Sequence, residues 1–256
     1  MQCDVLVIGA GPAGSSLAHR LARAGFAVRL ADRKVFPRPK PCGEFLSPQC
    51  APYLDELGLR GELAALGPRL VRGMFLNCGE IRAAGRFRRL ATAGADALAG
   101  FGIRRERFDE LLRSAAVAAG AEWLPRHSLE GLIRTGDGVV VGARLRDGGG
   151  EPVECRARWV VGADGVHSRV ARELGVQRTV PWLDRFALVT HFRGVEPAPF
   201  AEVHLFPGGF FAATTVDDEL FSMNLIVPRA VLRGSERGAD GWDGFFAGAL
   251  ARAPRL

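Results

Sequence analysis

Lysine is nearly absent from this 256-residue chain: of its 34 basic residues only Lys34 and Lys40 are lysines, and Tyr53 is its one tyrosine. The formal charge of +6 is thus an arginine charge spread along the sequence. It lacks the basic clusters interleaved with aromatics that bind nucleic acid, which argues against that partner. An anionic small molecule is the better match for the excess. Long hydrophobic runs are missing too: no stretch of about 20 uncharged apolar residues occurs, so no spanning helix is expected. The N-terminus, MQCDVLVIGAGPAG, has no basic segment leading into an apolar run and a cleavage site, and a cytoplasmic location is expected. The cysteines (Cys3, Cys42, Cys50, Cys78, Cys155) form an odd set with no C-x-x-C and no histidine at zinc-ligand spacing. No metal site is expected, and the thiols read as free in a reducing compartment. What is present is an apolar share of 48% and a charged share of 24%, enough for one large domain or two interleaved ones.

The chain opens with CDVLVIG, an apolar run of buried-strand length, and continues GAGPAG, so that Gly9, Gly11 and Gly14 make G-x-G-x-x-G. A helix pattern follows, with Leu17, Ala18 and Leu21 on one face, closed by Gly25; a second strand pattern, FAVRLA, ends at Asp32. The three glycines serve different ends. Gly9 allows the tight turn, Gly11 the close approach of backbone to a pyrophosphate, and Gly14 the close packing of helix on strand. Unpaired amides and the helix dipole then stabilise phosphate charge. Pro12 suits the first helical turn. Asp32 stands where a carboxylate accepts hydrogen bonds from a ribose hydroxyl. These residues by themselves leave FAD and NAD both open.

Two later segments carry further signals. IRRERFDELLRSAAVAAG (103–120) has the spacing of an amphipathic helix ending at Gly120 and is followed by the strand pattern AEWL. RWVVGADGVHSRVARELG starts at Arg158 as a buried strand, turns at Asp164-Gly165 and begins a helix near Ser168. The run GxGxxGxxxAxxLxxxGxxVxxxD from Gly9 to Asp32 resembles the FAD-binding start of glutathione-reductase-type flavoproteins. R-x-x-F-D-x-x-L (Arg105, Phe108, Asp109, Leu112) and the GADG segment resemble motifs of the group A flavoprotein monooxygenases, the aromatic hydroxylases. FPRPKPCGEFLSP with LDELGL resembles the geranylgeranyl-reductase-like branch, which also contains flavin-dependent halogenases.

The resemblance implies an α/β fold: a Rossmann-like FAD-binding domain, with parallel sheet and β-meander, over residues 1–65 and 101–178, and an antiparallel-sheet substrate domain over 66–100 and 179–256. It assigns Gly9, Gly11, Pro12, Ala13, Gly14, Asp32, Arg33, Arg105, Asp164 and Gly165 to FAD, with Cys42 and Gly43 along the cofactor. NAD(P)H is implied as a transient electron donor; with one G-x-G-x-x-G in the chain, no stably held NAD(P) domain is expected. Cys42 has three open readings: a packed thiol, a redox or catalytic thiol, or a disulfide with Cys50. Glu44 is a proton donor or a loop ion pair; Cys42 and Glu44 are the catalytic candidates. The strand patterns VRGMFLN, FALVTHFRG, AEVHLF, GGFFAATTV and LFSMNLIVP suggest the antiparallel sheet. Phe206, Phe210, Phe211 and Met223 line a pocket or, more simply, fill a core. His191 and His204 are not singled out as bases, and Arg82, Arg86, Arg88 and Arg89 read as a solvated face.

The activity implied is reduction of a C=C bond in an apolar isoprenoid- or polyketide-like substrate, one end of which is anionic or carrier-bound. The alternative is hydroxylation with NAD(P)H and O2. The family's third FAD motif, GDAAG, is not found before ALARAPRL, so a truncated FAD-binding fragment without turnover is a further expectation.

Overall fold

The computed structural model describes residues 1–88, 99–217, 220–232 and 241–253. In chain order the first half runs β1 (Gln2–Ile8), α1 (Pro12–Arg23), β2 (Val28–Asp32), β3 (Phe45–Leu46), α2 (Ala51–Glu56), α3 (Arg60–Ala65), β4 (Arg69–Val71), β5 (Gly73–Cys78), β6 (Ile81–Arg86) and β7 (Gly100–Gly102). The second half runs α4 (Arg105–Ala118), β8 (Glu122–Pro125), β9 (Ser128–Arg134), β10 (Val140–Arg146), β11 (Pro152–Gly162), α5 (Arg169–Glu173), β12 (Arg185–Phe192), β13 (Ala201–Phe206), β14 (Gly209–Val216), β15 (Leu220–Pro228) and α6 (Gly241–Leu250). Two compact units result, one of Met1–Pro39 with Glu106–Thr179, the other of Lys40–Arg105 with Val180–Leu256. Residues 40–65, grouped with the cofactor domain in the sequence reading, belong to the second unit.

The first unit is a six-stranded sheet in the order β8-β2-β1-β11-β10-β9. Strands β8, β2, β1 and β11 are parallel, while β11, β10 and β9 form an antiparallel meander. The meander and the strand before Asp164 share the single 11-residue strand β11. Alternation along β1 builds two cores. Val5 and Val7 pack with Ala18 of α1 and with Val28 and Leu30, while Leu6 and Ile8 pack with Leu129, Leu145, Cys155 and Val170. The unbroken burial of β1 from Val5 to Ile8 and the near-continuous burial of β2 are what parallel strands covered on both faces require.

The second unit holds a six-stranded sheet, β12-β15-β14-β13-β5-β6, and a small sheet, β3-β7-β4. All pairs of the larger sheet are antiparallel except β13 with β5, a parallel pair that the run of strand patterns did not reveal. Its core is aromatic: Phe206, Phe211, Met223 and Leu225 pack with Phe246 of α6. Phe206, Phe211 and Met223 are thus core residues, and Phe210 is half-buried. Beneath the exposed β6, the Arg82 guanidinium lies 3.7 Å from the centroid of Phe75, and Arg86 lies 5.4 Å from that of Phe200. Arg82, Arg86 and Arg88 are exposed, as a solvated face requires, and the first two also lie over the stacked rings of Phe75 and Phe200. Arg89 lies outside the described residues.

Phe211 is fully buried and meets Phe206 and Phe246 at centroid distances of 5.5 and 5.4 Å. Phe211→Ala is expected to cost about 3–5 kcal/mol, read as a lowered denaturant midpoint; a variant that unfolds with wild type would contradict this core.

Candidate functional site: a glycine-loop cradle and a buried carboxylate

In the first unit, the turn from β1 to α1 is built by contacts that admit no side chain. A Cβ on Gly14 would fall on the Gly9 carbonyl oxygen, and one on Gly9 would fall on the Ala163 carbonyl and lie 2.8 Å from the Asp164 Cα. Gly9 also has φ +101°, in the left-handed region. Packing explains both glycines. Gly11 is different: its backbone is extended, which any residue adopts, and a Cβ there would meet nothing nearer than Arg38 Nη2 at 3.9 Å. The protein's own packing does not require glycine at this position; a phosphate brought against the backbone does.

The two helices that border this turn differ at their starts. Asp164 Oδ2 accepts from the amides of Arg169 (2.6 Å) and Val170 (3.4 Å), and Ser168 Oγ accepts from the amide of Ala171 (2.9 Å), so α5 is capped by its own residues. Ser168 Oγ in turn donates to Asp164 Oδ1 at 2.6 Å. The Asp164 carboxylate, read from sequence as an acceptor for a cofactor hydroxyl, is engaged in holding the turn. Gly165 beside it has φ +85° and open space around it. The start of α1 has no side-chain cap and no acidic residue in its first turn, while Arg20 and Arg23 complement the dipole at its other end. Helix amides without a cap, beside a glycine with room to spare, fit the pyrophosphate of a dinucleotide.

Asp32 is buried at the end of β2, where Oδ2 accepts from the Ala10 amide and Oδ1 from the Lys34 amide, each at 2.9 Å. The carboxylate therefore ties the glycine loop to the segment after β2, and it retains lone pairs for a ribose hydroxyl. Pro12 is half-buried in the first turn of α1, while Ala13 and Arg33 are exposed. Sequence reasoning missed Arg38. Its Nη1 lies 3.4 Å from Asp109 Oδ2 and its Nη2 lies 3.9 Å from Asp32 Oδ2, with the guanidinium over the Phe36 ring. Asp109, the acid of R-x-x-F-D, is 0% exposed. That motif acid was the available signal, because a fully buried carboxylate needs a cationic or hydrogen-bonded partner.

In the second unit, Cys42 is half-buried and Gly43 exposed, and both Cys42 and Cys50 are free thiols. Glu44 has φ +53°, an unusual state for a residue with a Cβ, costing roughly 1–3 kcal/mol. Its carboxylate is 6% exposed. Oε1 accepts from the backbone amide of Arg105 at 3.3 Å, and Oε2 lies 2.6 Å from His191 Nε2. His191, passed over in the sequence, is thus joined to a catalytic candidate 147 residues away in the chain. His204 is different: it is buried against Glu202 of its own strand at 2.8 Å and against Asn77 of β5 at 3.3 Å. In the first unit, Cys3 and Cys155 stand 3.9 Å apart with Arg29 beside them. The Cys3 thiol and then the Arg29 guanidinium hold the Cys155 thiol down at about 6, against the cost of burial.

A parallel sheet, an uncapped glycine-loop helix and an acid at the end of the second strand define a dinucleotide-binding fold. The chain belongs to the family of the FAD binding domain, whose pattern matches residues 2–198. It is 35% identical over 186 residues to digeranylgeranylglycerophospholipid reductase 1 of Methanopyrus kandleri, covering 72% of this chain and 44% of that protein. To menaquinone reductase of Mycobacterium tuberculosis it is 34% identical over 174 residues, covering 67% and 40%. Among solved structures it matches the myxobacterial chondrochloren halogenase, a variant of the FAD-dependent halogenases, with TM-score 0.89 at 27% identity over 99% of this chain and 58% of that one. It also matches the flavin-dependent halogenase CmlS, with TM-score 0.85 at 25% identity over 100% and 46%. The chain spans less than half of the length of the two reductases. No described helix is long and apolar enough to cross a membrane.

Gly11→Ala is expected to keep the wild-type unfolding midpoint to within about 0.5 kcal/mol. The same change is expected to weaken FAD binding at least about tenfold, which is 1.4 kcal/mol, by flavin fluorescence titration. Gly14→Ala is expected to lose both stability and FAD. Equal FAD affinity in Gly11→Ala and wild type would remove the phosphate reading of this turn.

Proposed function

We propose that the chain is part or all of an FAD-dependent reductase that hydrogenates a C=C bond of an apolar, isoprenoid- or polyketide-like substrate. The uncapped start of α1 beside Gly11 carries the cofactor half of this reading. The reductases at 34–35% identity, named for a geranylgeranyl lipid and for menaquinone, support the substrate half. Gly9 to Gly14 hold the pyrophosphate, Asp32 and Arg33 the adenosine end, and Arg105, Asp164, Gly165, Cys42 and Gly43 complete the FAD contacts. FAD bound there would, once reduced with NAD(P)H as its transient donor, be the hydride source. The protein contributes position, water exclusion and proton supply. Within the second unit the antiparallel sheet supplies the apolar substrate wall, and arginine charge receives the anionic or carrier-bound end of the substrate. The location is cytoplasmic, with no nucleic-acid partner.

A second reading, oxygenation with NAD(P)H and O2, is favoured by the halogenase likeness at TM-score 0.89. Anaerobic turnover separates the two. The purified chain is expected to take up FAD and show flavin absorbance. After dithionite reduction without O2 it is expected to saturate a digeranylgeranylglycerophospholipid, detected as a mass gain of two hydrogens per double bond. Product that appears only with O2 would establish the oxygenase reading, and a chain that takes up no FAD would overturn both.

A further inference from the structure

The Glu44–His191 contact has features that a surface ion pair does not need. Glu44 is buried, sits in the left-handed region and is held at three further points. Its carbonyl accepts from the Ile103 amide at 3.0 Å, its Oε1 from the Arg105 amide at 3.3 Å, and its neighbour Phe45 pairs with Gly102 in the small sheet. A carboxylate fixed this firmly has one oxygen left to direct, and that oxygen meets His191 Nε2 at 2.6 Å. His191 belongs to β12, an edge strand of the larger sheet, and its side chain is 34% exposed. Because an ionised carboxylate only accepts hydrogen bonds, the Nε2 position must carry the hydrogen. The lone pair, or the second proton, is then placed on Nδ1. Among the described residues Nδ1 has no hydrogen-bond partner. A buried acid that fixes the tautomer of a partly exposed imidazole is the arrangement by which histidine is prepared for proton transfer.

We propose that His191 is the proton donor of this chain and Glu44 the residue that positions it. The proposal rests on the alkene-reductase reading and names its acid. With reduced flavin as the hydride source, one alkene carbon would gain the hydride while the π pair of the C=C would close on the Nδ1 proton at the other carbon. Two C–H bonds replace the π bond. His191 is left neutral, still donating from Nε2 to Glu44, and water reprotonates Nδ1. Glu44, for which the sequence left a proton donor and a loop ion pair both open, is too enclosed to meet an alkene; it acts through the imidazole it pairs with.

The test has two arms. In the chain labelled with 15N-histidine, without cofactor, long-range proton–nitrogen spectra are expected to show neutral His191 as the Nε2–H tautomer. The signal is assigned by its loss in His191→Asn. An Nδ1–H tautomer would overturn the positioning role. In anaerobic single turnover on digeranylgeranylglycerophospholipid, His191→Asn is expected to keep FAD and its reduction by dithionite. It is expected to slow product formation about 100-fold or more, the scale of a lost general acid. Glu44→Gln, which can still accept from Nε2, is expected to fall between that variant and wild type, and Glu44→Ala to match His191→Asn. Wild-type turnover with an undiminished His191→Asn rate overturns the acid assignment alone. Absence of product from wild type overturns the reductase reading, and with it this step.

Discussion

The contact on which the rest of the first unit depends is backbone against backbone at Gly9 and Gly14. With no Cβ at either position, α1 closes onto the end of β1, and the loop lies directly on the Ala163–Asp164 turn. That approach places the parallel strand β11 beside β1, brings the uncapped end of α1 to the strand ends, and lets Asp32 reach the Ala10 amide. A single methyl group at Gly14 would separate these pieces, because the obstacle is a carbonyl group of the main chain and not a flexible side chain.

Around this contact the acids are used in two ways. Asp164 spends its oxygens on the helix that follows it and so stiffens the turn. Asp32 spends one oxygen on each of two loops, Ala10 and Lys34, and each oxygen keeps a further lone pair. Arg38 lies beside the buried Asp109, Nη1 at 3.4 Å and without a hydrogen bond, so the segment after β2 is held there by charge at the cost of desolvating both groups. A dinucleotide site assembled in this way is preorganised: the amides that meet phosphate are oriented by protein contacts before any ligand arrives.

In the second unit, Glu44 joins backbone strain to a buried charge, as Asp217 also does. Glu44 follows the proline-stiffened segment KPCG, turns through a left-handed conformation, and presents its carboxylate to a histidine on an edge strand. A free thiol at Cys42, with no disulfide to Cys50, leaves this loop held by hydrogen bonds and the small sheet rather than by a covalent link.

Local patterns were sufficient for much of this. The β1–α1–β2 unit, the helix over Arg105–Ala118, the turn at Asp164 and most strands of the larger sheet follow from spacing, because period 2, period 3.6 and glycine punctuation are properties of neighbouring residues. The resemblance to FAD-dependent oxidoreductases rested on the same short-range motifs, and the family match agrees with it. Tertiary structure alone decided the parallel pairing of β13 with β5, the placement of Arg38 on Asp109, the use of Asp164 as a cap, and the union of Glu44 with His191. Most of these join residues far apart in the chain. Even the local cap depends on where the DG turn is held against the glycine loop. Nothing in the period or composition of one segment states which distant side chain will satisfy a buried charge; chain packing selects that partner, because a buried carboxylate must find a donor wherever the fold brings one.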